Sequence, residues 1–403
     1  MVRKKTREGL RSASIAGLAG LAAGVLVVLA AAGAAILTVA VARKVVTPPK
    51  AREQDLKILA VGDDWIRLSA TLDTLTPGEY SLWFSRDSGR ARVGDILEYD
   101  GRTVTRRLLS VDFGDIATAK AGRFSGWFYL GPAELGFPWE DVEVPTELGP
   151  APAWLIPAES TDAANGRWVI QVHGRAVRRE ETLRAVPVFR RAGYTSLLIS
   201  YRNDGDAPPS PDHRYALGDR EWRDVESAIR FAGDRGATEI LLMGWSMGGA
   251  TVLQTLTRSD LSPRIRAVVL DSPVVDWITA LQYQGTLNRL PSPVSAGAVR
   301  LLSRQWSGFL TGLAAPLNLN RLNIVANAAE LTVPILLLHS VDDGFIPATA
   351  SDALALVRPD IVTYERFDTA RHTKLWNYDR TRWETAIAQW LERLDSASEQ
   401  TRS

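Results

Sequence analysis

Apolar and polar positions follow three different rhythms along this chain. From Ser12 to Ala42 no residue is charged, and Ala, Gly, Leu, Ile and Val dominate. From 55 to 138 the apolar residues come in short bursts: Trp65-Ile66-Arg67-Leu68-Ser69, Tyr80-Ser81-Leu82-Trp83-Phe84, 103–109, and Trp127-Phe128-Tyr129. Asp100-Gly101, between the runs 96–99 and 103–109, is a hairpin signal, and Pro77-Gly78 and Asp87-Ser88-Gly89 mark other turns. With no 3.6-residue period, this stretch predicts a small β-rich domain. Its aromatic residues Trp83, Phe84, Trp127 and Phe128 are expected in its core rather than as a binding platform.

Beyond about 140 the rhythm changes again. Two leading strands, 142–145 and 153–157, precede short apolar runs that alternate with helical segments. The strands are expected at 168–172, 196–199, 239–243, 267–270, 334–338 and 362–364. Helices are expected near 180–192, at 219–234, from 250 to about 257, near 348–357 and at 381–394. In the second of these, Trp222, Val225, Ile229 and Ala232 share one face at spacings of three, four and three. Strand and helix in alternation predict a doubly wound, mostly parallel α/β sheet, whose ligands bind at the carboxyl ends of the strands.

One such end carries Gly244-Trp245-Ser246-Met247-Gly248-Gly249, between the 239–243 strand and the next helix. Strand, Gly-x-Ser-x-Gly turn and helix form a nucleophile elbow. The serine needs a strained backbone there, and side chains at Gly244 and Gly248 would collide across the turn. A serine hydroxyl also needs a base, itself oriented by an acid. In this kind of fold the acid and then the histidine follow the serine in sequence. Of the four histidines, only His339 and His372 follow Ser246, and His339 precedes every plausible acid. His372, in the loop before the last helix, is therefore the predicted base. His173 is expected to be structural. The acid should close the 334–338 strand, where Asp342 and Asp343 compete. Developing negative charge needs backbone donors, and Met247 N–H is the first.

These motifs resemble the α/β-hydrolase superfamily over about residues 140–395. The family's pattern at the acid turn looks like His-Gly-x-x-Asp-x-x-Val-Pro, and 339–347 here reads His-Ser-Val-Asp-Asp-Gly-Phe-Ile-Pro. That resemblance selects Asp343, with Ser340 in place of the glycine; some members of the family carry the acid after the preceding strand, where Asp271 stands, but Asp271 is expected to cap the following turn with Ser272. It also places the second oxyanion donor just after His173-Gly174, at Arg175 N–H. The chain is most similar to the serine aminopeptidase and prolyl-oligopeptidase-like hydrolases, a group that includes esterases and lipases, and Tyr201-Arg202-Asn203-Asp204-Gly205 fits its loop. The insertion 273–330 is expected to form a helical cap with Trp277, Leu281, Tyr283, Trp306 and Phe309. Its apolar character favours a carboxylic ester with an apolar, lipid-like acyl group. Acyl transfer to an envelope acceptor and peptide hydrolysis are alternatives, with an inactive binding scaffold a further one.

Composition narrows the picture. The 403 residues contain no cysteine and four histidines, which excludes thiolate chemistry and argues against a metal site; no cofactor is expected. Residues 1–50 carry eight basic residues and one acid, hence +7, which leaves −6 of the net +1 for the remainder. A mildly acidic folded part argues against nucleic-acid binding. About 28 helical residues within 12–42 would span roughly 42 Å, more than the ~30 Å of a bilayer core and more than a signal-peptide core needs. Five basic residues before it (Arg3, Lys4, Lys5, Arg7, Arg11) predict a cytoplasmic N-terminus, an uncleaved signal-anchor and an outward-facing enzyme. Cleavage after Ala40-Val41-Ala42, giving a secreted protein, is the alternative. The organisation expected is a basic head (1–11), anchor (12–42), linker (43–54), β-rich domain (55–138), hydrolase domain (139–395) and polar tail (396–403).

Overall fold

A computed structural model describes residues 31–159 and 166–402. It opens with helix α1, whose described part runs over 31–46. No helix of the described residues is long and apolar enough to cross a membrane. Residues 12–30, most of the expected anchor, lie outside them. The end of α1 is seated on the folded body: Ala42 and Val46 are buried in its largest core, and Tyr215 N–H donates to Val46 O at 2.8 Å.

Six strands follow: β1 (Leu56–Val61), β2 (Trp65–Ser69), β3 (Tyr80–Phe84), β4 (Gly89–Tyr99), β5 (Thr103–Phe113) and β6 (Ala121–Ser125). They close into an antiparallel barrel in the order β1-β2-β5-β4-β3-β6. In β2 the period of two is plain, since Ile66 and Leu68 face inward and their neighbours do not. At one end the guanidinium of Arg106 donates to the carbonyls of Gly94, Thr74, Thr76 and Gly78, between the rings of Tyr80 and Phe124. A buried cation satisfied by four carbonyls makes a polar plug in place of an apolar layer.

Two expectations fail here. Trp127-Phe128-Tyr129 is not a strand. The barrel strand is β6, just before it, and at Gly126 the chain leaves the barrel against Thr373, Arg184 and Asn377. Strand β1 has no counterpart among the expected elements, because Leu-Lys-Ile-Leu-Ala-Val sits beside a region read as linker. Of the four aromatics expected in the core of this domain, all are buried but only Phe84 belongs to the barrel core, and Phe128 packs in the core of the second body.

The second body contains β7 (Glu140–Thr146), β8 (Gly149–Ile156), β9 (Arg167–Val172), α2 (Val186–Arg191), β10 (Thr195–Ile199), α3 (Trp222–Asp234), β11 (Glu239–Trp245), α4 (Met247–Arg258) and β12 (Ile265–Asp271). The insertion then supplies α5 (Trp277–Leu287), α6 (Ser292–Leu302) and α7 (Gly308–Thr311). The chain closes with β13 (Ile335–Ser340), α8 (Thr349–Val357), β14 (Val362–Phe367), α9 (Leu375–Tyr378) and α10 (Arg380–Arg402). The eight-stranded sheet runs β14-β13-β12-β11-β9-β10-β8-β7; β8 pairs antiparallel with both β10 and β7, and the other pairs are parallel. Its central strands are apolar on both faces because helices cover both sides. The helix expected near 180–192 is split into a 3-10 turn, Arg179–Ala185, and α2, with Pro187 in the first turn of α2. A Cβ on Gly297 of α6 would lie 2.8 Å from Thr38, so α1 runs against the insertion.

Candidate active site

Ser246 stands between β11 and α4 with φ 50° and ψ −116°, a conformation that side-chain-bearing residues avoid. Its neighbours show why glycine flanks it. A Cβ on Gly244 would sit 2.6 Å from Gly248 O, and one on Gly248 would sit 2.2 Å from Val172 O. The strained peptide is fixed from both sides: Ser246 N–H donates to Asp271 O at 3.0 Å, and Val274 N–H donates to Ser246 O at 3.1 Å.

Ser246 Oγ lies 2.9 Å from His372 Nε2, and His372 Nδ1 lies 2.7 Å from Asp343 Oδ2. Ser246, His372 and Asp343 thus form one hydrogen-bonded chain. Asp343 is fully enclosed, and its other oxygen accepts from Phe345 N–H and Ile346 N–H, both at 2.8 Å. Burial works to raise its pKa, but His372, His339 and these bonds prevail and hold it well below the usual carboxylate range. His339 was set aside on sequence order alone. Its Nε2 lies 3.1 Å from Asp343 Oδ2 and its Nδ1 2.7 Å from Ser351 Oγ, so it steadies the acid from behind.

The loop bearing His372 is strained, with φ 61° at Arg371 and 51° at Thr373. Three side chains from two neighbouring turns hold it. Ala370 N–H donates to Ser340 Oγ (2.9 Å), Arg371 N–H to Asp342 Oδ1 (3.0 Å) and Thr373 N–H to Ser272 Oγ (3.1 Å). Asp342 therefore positions the loop, and Ser340 has a task that a glycine could not perform. Asp271 stays away from the histidine. Its carboxylate accepts from Trp383 Nε1–H and Ser272 Oγ–H, and burial raises its pKa.

The loop after β9 is equally tied down. His173 stacks on Tyr201 at 4.2 Å and contacts Gly174 O and Asp204, a structural role. Gly174 N–H is taken by buried Glu181 at 2.9 Å. No acceptor among the described residues takes the backbone N–H of Arg175 or of Met247, so both are free to meet an oxyanion. The side chain of Arg175 donates to the carbonyls of Lys44, Val45 and Thr47 at the end of α1. The loop that offers an oxyanion donor thus also caps the N-terminal helix.

A cavity of about 510 Å³ lies over Ser246. None of its lining residues comes from 273–330. Its walls are Arg52 and Asp55 before the barrel, Asp73 and 123–126 of the barrel, and 174–177, Glu181, 344–345 and 371–374 of the second body. Besides the Val274–Ser246 backbone bond, the insertion reaches the site at the back of the acid turn, where Tyr283 Oη–H donates to Asp343 O and Gln284 to Phe345 O. The barrel residues in this lining are not legible in the sequence, because no local motif marks Asp73 or Arg123.

A nucleophile elbow at the carboxyl edge of this sheet defines a hydrolase of the α/β-hydrolase type. The model of the alpha/beta hydrolase family matches residues 169–388, and the chain belongs to that family. A second family model, described as a domain of unknown function (DUF8805), matches 57–125, most of the barrel. The uncharacterized protein YfhR of Escherichia coli K12 is 26% identical over 221 residues, covering 54% of this chain and 68% of YfhR. Esterase Pf2001 of Pyrococcus furiosus shares the fold, with TM-score 0.51 and 18% identity over 66% of this chain and 96% of that one. A puromycin-hydrolyzing peptidase of Mycobacterium tuberculosis aligns at TM-score 0.47 and 19% identity, covering 76% of this chain and 46% of its own.

Proposed function

We propose that this enzyme hydrolyses a carboxylic ester through an acyl-enzyme on Ser246. The observation that carries the proposal is the chain Ser246–His372–Asp343, at 2.9 and 2.7 Å, beside two unpaired backbone donors. Ser246 Oγ attacks the carbonyl carbon as its proton passes to His372 Nε2. The carbonyl oxygen, now negative, is held by Met247 N–H and Arg175 N–H. As the tetrahedral adduct collapses, the alkoxide leaves with the proton from His372. Water then attacks the acyl-enzyme, gives its proton to His372, and releases the acid and Ser246. Asp343 holds the imidazole in the required tautomer and stabilises its charged form. A fluorophosphonate probe tests this reading: it should label the wild type and not Ser246→Ala, and labelling that persists in the variant would overturn it.

We further infer that residues 12–42 anchor the enzyme in a membrane with its catalytic body outside the cytoplasm. The uncharged run and the basic cluster before it support this. Protease added to intact cells should then cut beyond residue 50, whereas full protection would refute the topology.

A further inference from the structure

The charges around the Ser246 cavity do not cancel side chain by side chain. Lys374 Nζ pairs with Asp73 at 2.8 Å, and Arg371 Nε with the same carboxylate at 3.3 Å. Arg123 grips Asp87 through Nε (3.0 Å) and Nη2 (3.2 Å), which leaves Nη1 without an acceptor among the described residues. Arg52 has no carboxylate partner among them. One of its terminal nitrogens donates to Ala176 O, in the oxyanion loop, and the other donors have no acceptor there. None of these free donors is sealed off from solvent, so they open to the cavity. Asp55, the other lining carboxylate without a side-chain partner, interacts with Asp73, Lys374 and Arg123 rather than with Arg52.

Two like charges are held in this space by aromatic rings. The Arg52 guanidinium lies 5.5 Å from the Trp127 ring and that of Arg123 lies 5.2 Å from Trp83. The two indoles pack against each other at 5.2 Å. Aromatic faces fix a cation in place without neutralising it. Burial, with Arg123 adding to it, outweighs the carboxylates of Asp87 and Glu181 and pushes Arg52 down to about 10, yet it stays charged at neutral pH. The repulsion between the two guanidinium groups, which Asp87 and Glu181 offset only in part, is relieved further by an anion that reaches both.

We propose that Arg52 and Arg123 form an anion-binding subsite in the Ser246 cavity, and that the ester cleaved there carries a carboxylate or phosphate group. The substrate half of this statement rests on Ser246 being the nucleophile; the subsite itself does not. It gives the barrel a task, since Arg123, Trp83 and the wall behind them belong to it, and it makes Arg52 a specificity-determining residue.

The test uses the full-length chain and two probes, inorganic phosphate and glutarate, titrated calorimetrically into the wild type, Arg52→Met and Arg52→Lys. Methionine keeps an apolar stem on Trp127 and removes the charge. Binding should weaken about 10- to 100-fold in Arg52→Met, the scale of one charge-assisted hydrogen bond, and less in Arg52→Lys. Whichever probe binds more tightly identifies the anionic group. Failure of both to bind the wild type, or equal binding to wild type and Arg52→Met, overturns the subsite. In parallel, kcat/KM for p-nitrophenyl hemiglutarate is compared with that for p-nitrophenyl pentanoate. The wild type should favour the anionic ester, and the ratio should fall in Arg52→Met mainly through KM. Arg52-dependent binding with neither ester cleaved would sink the esterase reading and leave the subsite standing. Cleavage of both esters without discrimination, and with binding independent of Arg52, would do the reverse.

Discussion

Two structures flank the catalytic edge of the sheet, and they are made of opposite materials. The helical insertion is apolar, lines no part of the Ser246 cavity and sends side chains to the back of the Asp343 turn. The barrel and the segment before it are arginine-rich and form the wall of the cavity itself. The apolar insertion looks like a lid in sequence, because long insertions in this position draw attention through their length and hydrophobicity. The wall that faces the serine depends on how a barrel docks, which no short motif encodes. Apolar content therefore located a body of packing here, and charge located the ligand-facing surface.

The largest expected effects fix what the two walls share. Ser246→Ala should abolish probe labelling and lower ester turnover by about 10⁴-fold or more, with both walls intact. Asp343→Asn should lower kcat by about 10⁴-fold, because the imidazole loses its orienting acceptor. Asp342→Asn should lower it by only about tenfold, since that side chain holds the loop rather than the ring. Steady-state kinetics on one soluble ester checks all three. Equal losses at 342 and 343 would mean that the two aspartates share the orienting role.

A smaller effect tests whether the barrel wall is coupled to the chemistry. A Cβ on Gly126 would lie 2.8 Å from Thr373 O and 2.9 Å from both Arg184 Nη1 and Asn377 Oδ1. Thr373 follows His372, so Gly126→Ala should displace the base and lower kcat by about 10- to 100-fold. The rate of fluorophosphonate labelling should fall in parallel. An unchanged rate would show that the barrel can shift without moving the histidine loop.

The contrast also explains which parts of the molecule could be read from sequence. The parallel sheet was legible because each central strand is a continuous apolar run and each boundary carries a turn signal. Ser246, His372 and Asp343 were legible because their roles demand a fixed order and local backbone geometry. His339 was not, since its contact with Asp343 depends on the turn between them folding back on itself. Nor was Arg52, which lies in a segment without pattern and acquires a role only once Trp127 stands beneath it. Trp127 itself was misread as strand: an aromatic-rich burst is equally consistent with packing between two bodies.

The junction between barrel and sheet should respond to acid. Burial tends to raise the Asp73 pKa, but Lys374 and Arg371 outweigh it and hold the carboxyl below its usual range. The folded protein thus binds that proton less tightly than the unfolded chain does. The stabilisation is complete above about pH 4 and fades as pH falls through the lowered value. Asp73→Asn should therefore cost about 1 kcal/mol near neutrality, read as a lower urea midpoint, and the gap to wild type should close in strong acid. A gap that persists there would assign the effect to packing.

The smallest effect belongs to the insertion. Trp306 and Phe309 are 61% and 77% exposed, stand 6.4 Å apart, and line no part of the Ser246 cavity. Changing both to serine removes little buried area and no hydrogen bond. Substitutions of that kind alter stability by less than about 0.5 kcal/mol. Turnover of a short soluble ester should then stay within about twofold of wild type. An aromatic pair so exposed still has a physical consequence, because such side chains partition into the interface between lipid and water. Helix α1, which contains the last residues of the proposed anchor, runs against α6 of the same insertion through Thr38. If that anchor is embedded, the serine variant should lose affinity for lipid vesicles while its activity on the soluble ester persists. A large loss on the soluble ester would erase the distinction between the two walls, because it would mean that the insertion closes over the serine during turnover.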